Sequence, residues 1–248
     1  MNYYVMTDVG CRRATNQDAF CCGRLADGVE YLVLCDGMGG HRGGNLAAEI
    51  AVRGFSELIG GCISSHLRPK DLKSLLEGMI LKVSRMIAST GEENPDFAGM
   101  GSTVVLAVRC GKKLCVAHVG DSRAYLYRGG KLQRITKDHS LVQELIDRGE
   151  ITPEEGESHP HRNVITRTLG YAEDSMPEIS FYEVKAGDRF LLCTDGLTVT
   201  VRDGELESCL KEIPAEKTVE CLVARALAAG APDNVTVGLF YEPEKEGR

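Results

Sequence analysis

The stretch Tyr31-Leu-Val-Leu-Cys-Asp-Gly-Met-Gly-Gly-His41 carries an apolar run straight into an aspartate that is followed by glycines. A short apolar run bounded by turn-forming residues predicts a buried β-strand. Because Asp36 comes at the end of this run, the strand would deliver its carboxylate to the edge of a sheet. The stretch therefore predicts a sheet protein with an acidic group fixed at a strand end.

Three further aspartates stand beside apolar runs in turn-forming settings. They are Asp121 after residues 114–119, Asp195 after residues 190–193, and Asp233 before residues 235–240. Hard oxygen ligands on rigid strand ends suit Mg²⁺ or Mn²⁺, and the sequence has no Cys and His pairs at the spacing that zinc prefers. Together the four aspartates predict a metal site.

The composition is that of a globular protein with a substantial core, since 43% of the 248 residues are hydrophobic. No repeat or Pro/Ser-rich linker divides the chain, so we expect a single domain over residues 1–241 and a frayed tail at 242–248. The N-terminus has no basic region followed by an apolar segment, and no apolar stretch approaches the ~20 residues that span a bilayer. We expect a cytoplasmic protein that does not contact a membrane.

Charge and cysteine usage exclude two classes of protein. The net charge of −7 opposes a nucleic-acid-binding surface, because phosphate backbones require basic stripes. Most of the ten cysteines lie in apolar runs, which predicts reduced buried thiols rather than a disulfide framework.

The order of helices and strands favours an α+β fold. Helices are predicted over residues 44–59, 70–89, 140–148, 203–212 and 215–229. Residues 103–135 predict an antiparallel meander, and residues 149–166 a long irregular loop of the kind that is usually functional. Because helix pairs alternate with groups of strands, we expect antiparallel sheets covered by helices rather than a doubly wound parallel sheet.

Eight short motifs in a fixed order resemble those of the metal-dependent serine/threonine phosphatases of type 2C, in their compact bacterial form. They are Thr7-Asp-Val-Gly10 with Arg13 and Asn16-Gln-Asp18; Asp36-Gly-Met-Gly-Gly-His41; Gly99-Met-Gly-Ser-Thr103; Gly120-Asp-Ser-Arg123; Asp138-His-Ser140; Arg162-Asn-Val-Ile-Thr-Arg167; Thr194-Asp-Gly-Leu197; and Asp233-Asn-Val-Thr236. One Asp-Gly pair would mean little, because it is a common turn. Eight motifs in order are specific.

The resemblance implies a four-layer α/β/β/α sandwich in which two antiparallel sheets are flanked by helix pairs. It also implies hydrolysis of phosphoserine and phosphothreonine monoesters in proteins, by attack of a hydroxide that bridges two Mg²⁺ or Mn²⁺ ions. A serine/threonine kinase would be the functional counterpart. The protein is expected to act as a monomer.

The same resemblance assigns the metal ligands. Asp36 would bridge the two core ions, the carbonyl of Gly37 would approach one of them, and Asp195 and Asp233 would complete the first ion's protein ligands. Asp121, shared with Asp195, resembles the ligand of a weaker third ion. Taken singly, each aspartate fits a turn or capping role better, and only their co-occurrence favours a metal.

Other residues are expected around the ligands. Arg13 would clamp the phosphate through its planar guanidinium. Asp18 would orient a metal-bound water or act as a weak ligand of the second ion. Asn234 is expected to lie beside the ligands. Many animal members carry a histidine at the position of Met38, which cannot donate a proton, so the leaving group would be protonated by a metal-bound water or by His41.

Two alternatives remain open at this point. A regulatory module that binds phosphoproteins without turnover would lack ligands or the clamp, and neither is missing. A two-metal nuclease is opposed by the acidic charge balance. Within the enzyme reading, the loop 149–166 corresponds to the family's flap and is expected to govern substrate choice. His118, inside an apolar run, is expected to be a packed and satisfied core histidine.

Overall fold

The computed structural model describes residues 2–171 and 175–244, apart from the side chain of His41. In this part of the chain the strands are β1 Asn2–Asp8, β2 Asp18–Arg24, β3 Glu30–Met38, β4 Gly101–Ser102, β5 Val104–Cys110, β6 Lys113–Val119, β7 Arg123–Arg128, β8 Lys131–Arg134, β9 Glu178–Glu183, β10 Arg189–Cys193 and β11 Val235–Tyr241. The helices are α1 Gly40–Cys62, α2 Pro69–Glu93, α3 Leu141–Asp147, α4 Pro153–Glu157, α5 Asp195–Thr198, α6 Asp203–Glu212 and α7 Ala215–Ala228.

The strands form two antiparallel sheets. The first sheet has the order β1-β11-β10-β7-β8, and the second has the order β2-β3-β5-β6-β9 with β4 paired to β3. Residues 30–35 of β3 are buried on both faces of the strand. This explains why the stretch that precedes Asp36 is continuously apolar instead of alternating.

Three apolar clusters separate four layers. One cluster packs α1 and α2 against the outer face of the second sheet, and another packs α6 and α7 against the outer face of the first. The third cluster lies between the sheets and includes Leu34, Val105, Leu192 and Phe240. The predicted α/β/β/α sandwich is therefore confirmed.

The two long helices extend beyond their predicted limits. Helix α2 buries one stripe that includes Leu72, Leu76, Ile80 and Val83, and Pro69 occupies its first turn, where no backbone donor is needed. Helix α1 starts at Gly40, four residues before the predicted start. Glycines have low intrinsic helix propensity, so the first turn of α1 carried no sequence signal.

The prediction of one antiparallel meander over residues 103–135 is wrong. Strands β5 and β6 pair within the second sheet, whereas β7 and β8 pair within the first. The chain changes sheets between Val119 and Arg123, through Gly120, whose φ is +106°. Hydrophobic patterning reports strand type but not strand partners, and a connection between sheets resembles a hairpin connection in sequence.

Residues 149–166, which we call the flap, are less irregular than predicted. The short helix α4 begins at a capping box in which Thr152 and Glu155 satisfy each other's backbone donors. Gly156 is buried, and a Cβ there would lie 2.9 Å from the side chain of Val142 on α3. Ile165 forms a bridge with Ser140. The flap is thus anchored at both ends on the α3 region.

Glu242, the first residue of the tail predicted at 242–248, is bound to the rest of the fold. The backbone N–H of Glu242 donates to Asp188 at 3.0 Å, and its carboxylate pairs with Arg109 at 3.0 Å. Residues 245–248 of the predicted tail lie outside the described residues. All ten cysteines are free thiols. Among the described helices, none has the length and apolarity needed to cross a membrane.

Candidate metal centre

Five carboxylates reach the same end of the sandwich from both sheets. Asp36 lies on β3 of the second sheet, and Asp18 faces it directly across the β2–β3 ladder. Asp195 starts α5 two residues after β10 of the first sheet ends, and Asp233 precedes β11. Asp121 lies in the connection where the chain changes sheets. The structure therefore brings together the aspartates that the sequence singled out.

Two glycines allow the chain to pack tightly around these carboxylates. A Cβ on Gly37 would lie 1.9 Å from the carbonyl oxygen of Gly44, and one on Gly196 would lie 2.0 Å from the carbonyl oxygen of Asn234. Both distances are far below a van der Waals contact, so only glycine fits. The glycines therefore serve close packing around the carboxylates.

Burial, and then the charges of neighbouring carboxylates, raise the pKa values of Asp18, Asp36, Asp121 and Asp195. Burial, followed by the charges of Asp18 and Asp195, raises the pKa of Asp36 well above its ordinary value. Burial is also the largest cause at the other sites, and it raises the pKa of Asp18 to about 7, of Asp121 to about 8 and of Asp195 to about 6. Such a cluster is electrostatically unfavourable unless positive charge is close.

The donor set fits a hard divalent cation. One carboxylate oxygen each of Asp18, Asp121 and Asp195 is buried and has no hydrogen-bond partner within the described part of the chain. Mg²⁺ and Mn²⁺ bind oxygen ligands of this kind, and the cluster contains no thiolate. The residues present are therefore suited to hold the ions that the sequence predicted.

Arg13 lies at the rim of the cluster, with half of its side chain exposed. Its guanidinium donates to Oδ2 of Asp233 at 2.7 Å, while Oδ1 of the same carboxylate accepts from the backbone of Asn234 at 2.9 Å. The arginine is thus both close to the carboxylates and open to solvent. An anion that approaches the cluster would meet this guanidinium.

Asn234 organises the loop that carries Arg13. Its amide group donates to the carbonyl oxygens of Val9 and Thr15, at 2.8 and 3.0 Å, and accepts from the backbone N–H of Gln17 at 2.8 Å. Asn234 itself is buried. The sequence predicted its position beside the ligands but not this role of holding a distant loop.

His41 and a metal-bound water are the two predicted proton donors. The backbone of His41 lies in α1, but its side chain is outside the described residues. The sulfur of Met38 lies 3.8 Å from the hydroxyl oxygen of Thr168, which donates to the carbonyl oxygen of Ser102 at 3.0 Å. The assignment of His41 as an acid therefore stays a prediction.

A second group of ligand-type side chains was missed by the sequence. His118, His139 and Glu178 form a cluster whose possible ligand atoms lie within 4.8 Å of one another, in the part of the chain that the structure describes. The two imidazoles are stacked with centroids 4.6 Å apart and planes 17° apart. Nη1 of Arg167 lies 3.4 Å from Nε2 of His139. Parallel rings aim their nitrogens side by side, and a cation is already close, so this cluster suits a metal poorly.

The histidine pair has a structural role instead. Nε2 of His118 contacts the carbonyl oxygen of Lys137 at 2.7 Å, and Nδ1 of His139 accepts from Gly120 at 3.1 Å. His118 is buried, which confirms its assignment as a satisfied core histidine. Burial, followed by the neighbouring imidazole, lowers the pKa of His139 to about 4. The pair stays neutral and holds the turn that leads to Asp121.

Comparison with known proteins gives consistent matches. A family model described as protein phosphatase 2C matches residues 12–229. The serine/threonine protein phosphatase PstP of Mycobacterium tuberculosis is 38% identical over 237 residues, which are 96% of this chain and 44% of PstP. The chain thus spans less than half the length of that relative. Protein phosphatase PhpP of Streptococcus pneumoniae is 34% identical over 248 residues, which cover 99% of both chains.

Solved structures match the whole sandwich. A serine/threonine phosphatase of S. agalactiae has a TM-score of 0.89 at 33% identity, and the match covers 97% of this chain and 99% of that one. The catalytic domain of PstP in complex with two manganese ions has a TM-score of 0.83 at 36% identity, with 96% of each chain covered. The likeness therefore includes both sheets and the strand ends that carry the carboxylates.

Proposed function

The chain belongs to the protein phosphatase 2C family, and on this basis we propose that it is a metal-dependent phosphatase that hydrolyses phosphoserine and phosphothreonine monoesters in proteins. The observation that carries the proposal is a buried cluster of carboxylates with unpartnered oxygens and an exposed arginine at its rim. A phosphate monoester is a dianion that needs positioning and charge neutralisation more than covalent chemistry.

Four residues would hold the two core ions. Asp36 lies at the centre of the cluster, the carbonyl of Gly37 is next to it, and Asp195 and Asp233 approach from the other sheet. Asp121 would serve a weaker third ion together with Asp195. When bound, a pair of divalent ions supplies charge neutralisation and an activated water at neutral pH.

Arg13 would bind the substrate's phosphoryl oxygens. Its guanidinium is held by one hydrogen bond to Asp233 and is half exposed, so it can accept an anion without a large rearrangement. A planar fork of donors matches two phosphate oxygens better than a lysine does. The clamp would orient the phosphorus towards the carboxylate cluster.

The flap would select the substrate protein. It is anchored on the α3 region, yet His161, Arg162 and Asn163 are exposed between its anchored segments. Exposed side chains on an anchored loop can contact a folded substrate without taking part in the chemistry. We place the enzyme in the cytoplasm as a monomer that opposes a serine/threonine kinase.

The test is hydrolysis of a phosphothreonine peptide by the purified protein with and without Mn²⁺. Wild-type protein should release phosphate only with the metal, and Asp195→Asn should abolish release because it removes a charged ligand from the buried cluster. Asp96→Asn, at an exposed position, is the matched control and should leave the rate unchanged. No release by wild type with any divalent metal would favour the phosphoprotein-binding module instead.

A further inference from the structure

Asp18 is bound by hydroxyl groups that come from the opposite sheet. It lies on β2 of the second sheet, and its Oδ2 accepts hydrogen bonds from Thr194 at 2.8 Å and Thr236 at 2.6 Å. Thr194 directly follows β10, and Thr236 lies on β11, both in the first sheet. Both threonines are fully buried, and Asp18 is 7% exposed. This contact therefore crosses the interior between the two sheets.

With Asp18 ionised, the direction of each hydrogen bond in this contact follows from the number of hydrogens that each group carries. Thr194 accepts from the backbone N–H of Thr236 at 2.9 Å, which leaves its single hydrogen for Asp18. Thr236 also contacts Thr7 at 2.7 Å, and Thr7 accepts from the amide of Asn16 at 2.8 Å. A hydroxyl has one hydrogen to give, so Thr7 donates to Thr236 and Thr236 donates to Asp18. When Asp18 is ionised, each donor supports the next.

We propose that Thr194 and Thr236 form a hydroxyl clamp on Asp18 that aligns the metal ligands of the two sheets. Asp18 faces Asp36 in the β2–β3 ladder, so the clamp holds a carboxylate directly beside the central ligand on β3. Thr194 immediately precedes Asp195, so the same hydroxyl ties the first sheet's ligand to this position. The inference rests on the metal ligands of the proposed function.

The clamp also assigns different roles to the two oxygens of Asp18. Oδ2 is saturated by two hydroxyls, whereas Oδ1 is buried without a hydrogen-bond partner in the described residues. A carboxylate held in this way cannot rotate to exchange its oxygens without breaking two bonds. Oδ1 is thereby kept available to an ion or to a water on an ion, and Thr194 and Thr236 act as positioning residues rather than ligands.

The experiment measures Mn²⁺ binding to metal-free protein by calorimetry, with no substrate present. Thr194→Val and Thr236→Val keep the side-chain shape and remove the donor, and each should weaken binding by ~10-fold, the usual scale for groups that orient metal ligands. Thr194→Ser and Thr236→Ser restore the donor and should restore most of the affinity. Thr218→Val, which removes an equally buried hydroxyl on α7, should leave Mn²⁺ binding unchanged.

A second arm separates action through Asp18 from a loss of folding. In an Asp18→Ala background, the valine substitutions should cause no further loss of Mn²⁺ affinity, because the group that they orient is gone. Each threonine is tested separately, so the clamp can be tested if only one of the two valine variants folds. Wild-type affinity in the valine variants, or equal losses in the serine and valine variants, would overturn the clamp. Normal Mn²⁺ binding without phosphopeptide hydrolysis would instead refute the proposed function alone.

Discussion

Arg13 and Asp233 are 220 positions apart in the chain, yet the guanidinium donates to the carboxylate at 2.7 Å. This bond joins the proposed phosphate clamp to a proposed metal ligand. Arg13 lies on a loop that Asn234 holds in place, and Asn234 follows Asp233 in the chain. The phosphate clamp and this metal ligand therefore depend on the same residue. Changes at either partner should therefore affect both substrate binding and metal binding.

Arg13→Ala should reduce kcat/KM for a phosphothreonine peptide by roughly 10- to 100-fold, since a hydrogen bond to a charged group contributes ~1.5–3 kcal/mol. Arg13→Lys should recover only part of the loss, because an ammonium cannot grip two oxygens at once. Steady-state kinetics at saturating Mn²⁺ measure both. Arg12→Ala is the neighbouring control, and equal losses at positions 12 and 13 would show that the effect is general charge.

Asp36→Asn should stabilise the metal-free protein and abolish its response to Mn²⁺. The raised pKa of Asp36 means that its ionised form is disfavoured in the fold, so a neutral amide relieves repulsion. A gain of ~1 kcal/mol would raise Tm by about 2–4 °C in a chain of this size. Wild type should gain about 2.7 kcal/mol when Mn²⁺ exceeds its Kd by a hundredfold. Thermal scans at pH 8 with EDTA or Mn²⁺ test this, and a lower metal-free Tm for the variant would contradict it.

The neutral state of His139 should make the protein sensitive to mild acid. Its pKa falls from 6.5 to about 4 in the fold, so the unfolded chain binds the proton more tightly. The stability contributed by this group is present above pH 6.5 and is lost as the pH falls towards about 4. His139→Gln should therefore show a flatter decline of Tm over that range. The exposed His66→Gln is the control, and its Tm should decline as in wild type. If the Tm of His66→Gln declined as little as that of His139→Gln, the assignment to His139 would be contradicted.

Gly37→Ala should destabilise the fold by ~1–3 kcal/mol or more, because the new Cβ would collide with a backbone oxygen that cannot rotate away. Gly78→Ala, within α2, is expected to change stability in the opposite direction. Nothing lies within 4 Å of a Cβ at Gly78, so alanine should stabilise that helix by about 0.5–1 kcal/mol. Urea unfolding of metal-free protein gives both values, and a neutral Gly37→Ala would argue against close packing at the turn.

The flap should affect protein substrates and not the chemistry. The double variant His161→Ala/Arg162→Ala removes exposed side chains between the anchored segments of the flap. It should lower activity on phosphopeptides several-fold while leaving p-nitrophenyl phosphate hydrolysis intact. The double variant His66→Ala/Arg68→Ala removes the same residue types from the exposed α1–α2 connection. It should leave both activities unchanged. An equal loss on both substrates in the flap variant would mean that the flap supports the active site itself.

Much of the fold could be predicted from local pattern. The continuous apolar run of residues 31–35 identified a strand that is buried on both faces. The periodic apolar stripe of α2 identified a helix that is buried on one face. The aspartates at strand ends were found for the same reason. The predicted start of α1 was wrong because glycines form its first turn. Helix α4 was not predicted because it is too short to show a helical period.

Only the tertiary structure decided which groups meet. The chain changes sheets at Gly120. His118 stacks on His139, and Thr194 and Thr236 bind Asp18, although these residues are separated in the chain. The sequence by itself determined the element types, the layered class and the acidic residues available for a metal. Partners across the interior depend on how the two sheets stack, and since a hydrogen bond at 2.7 Å is specified by three-dimensional position, no local periodicity encodes it.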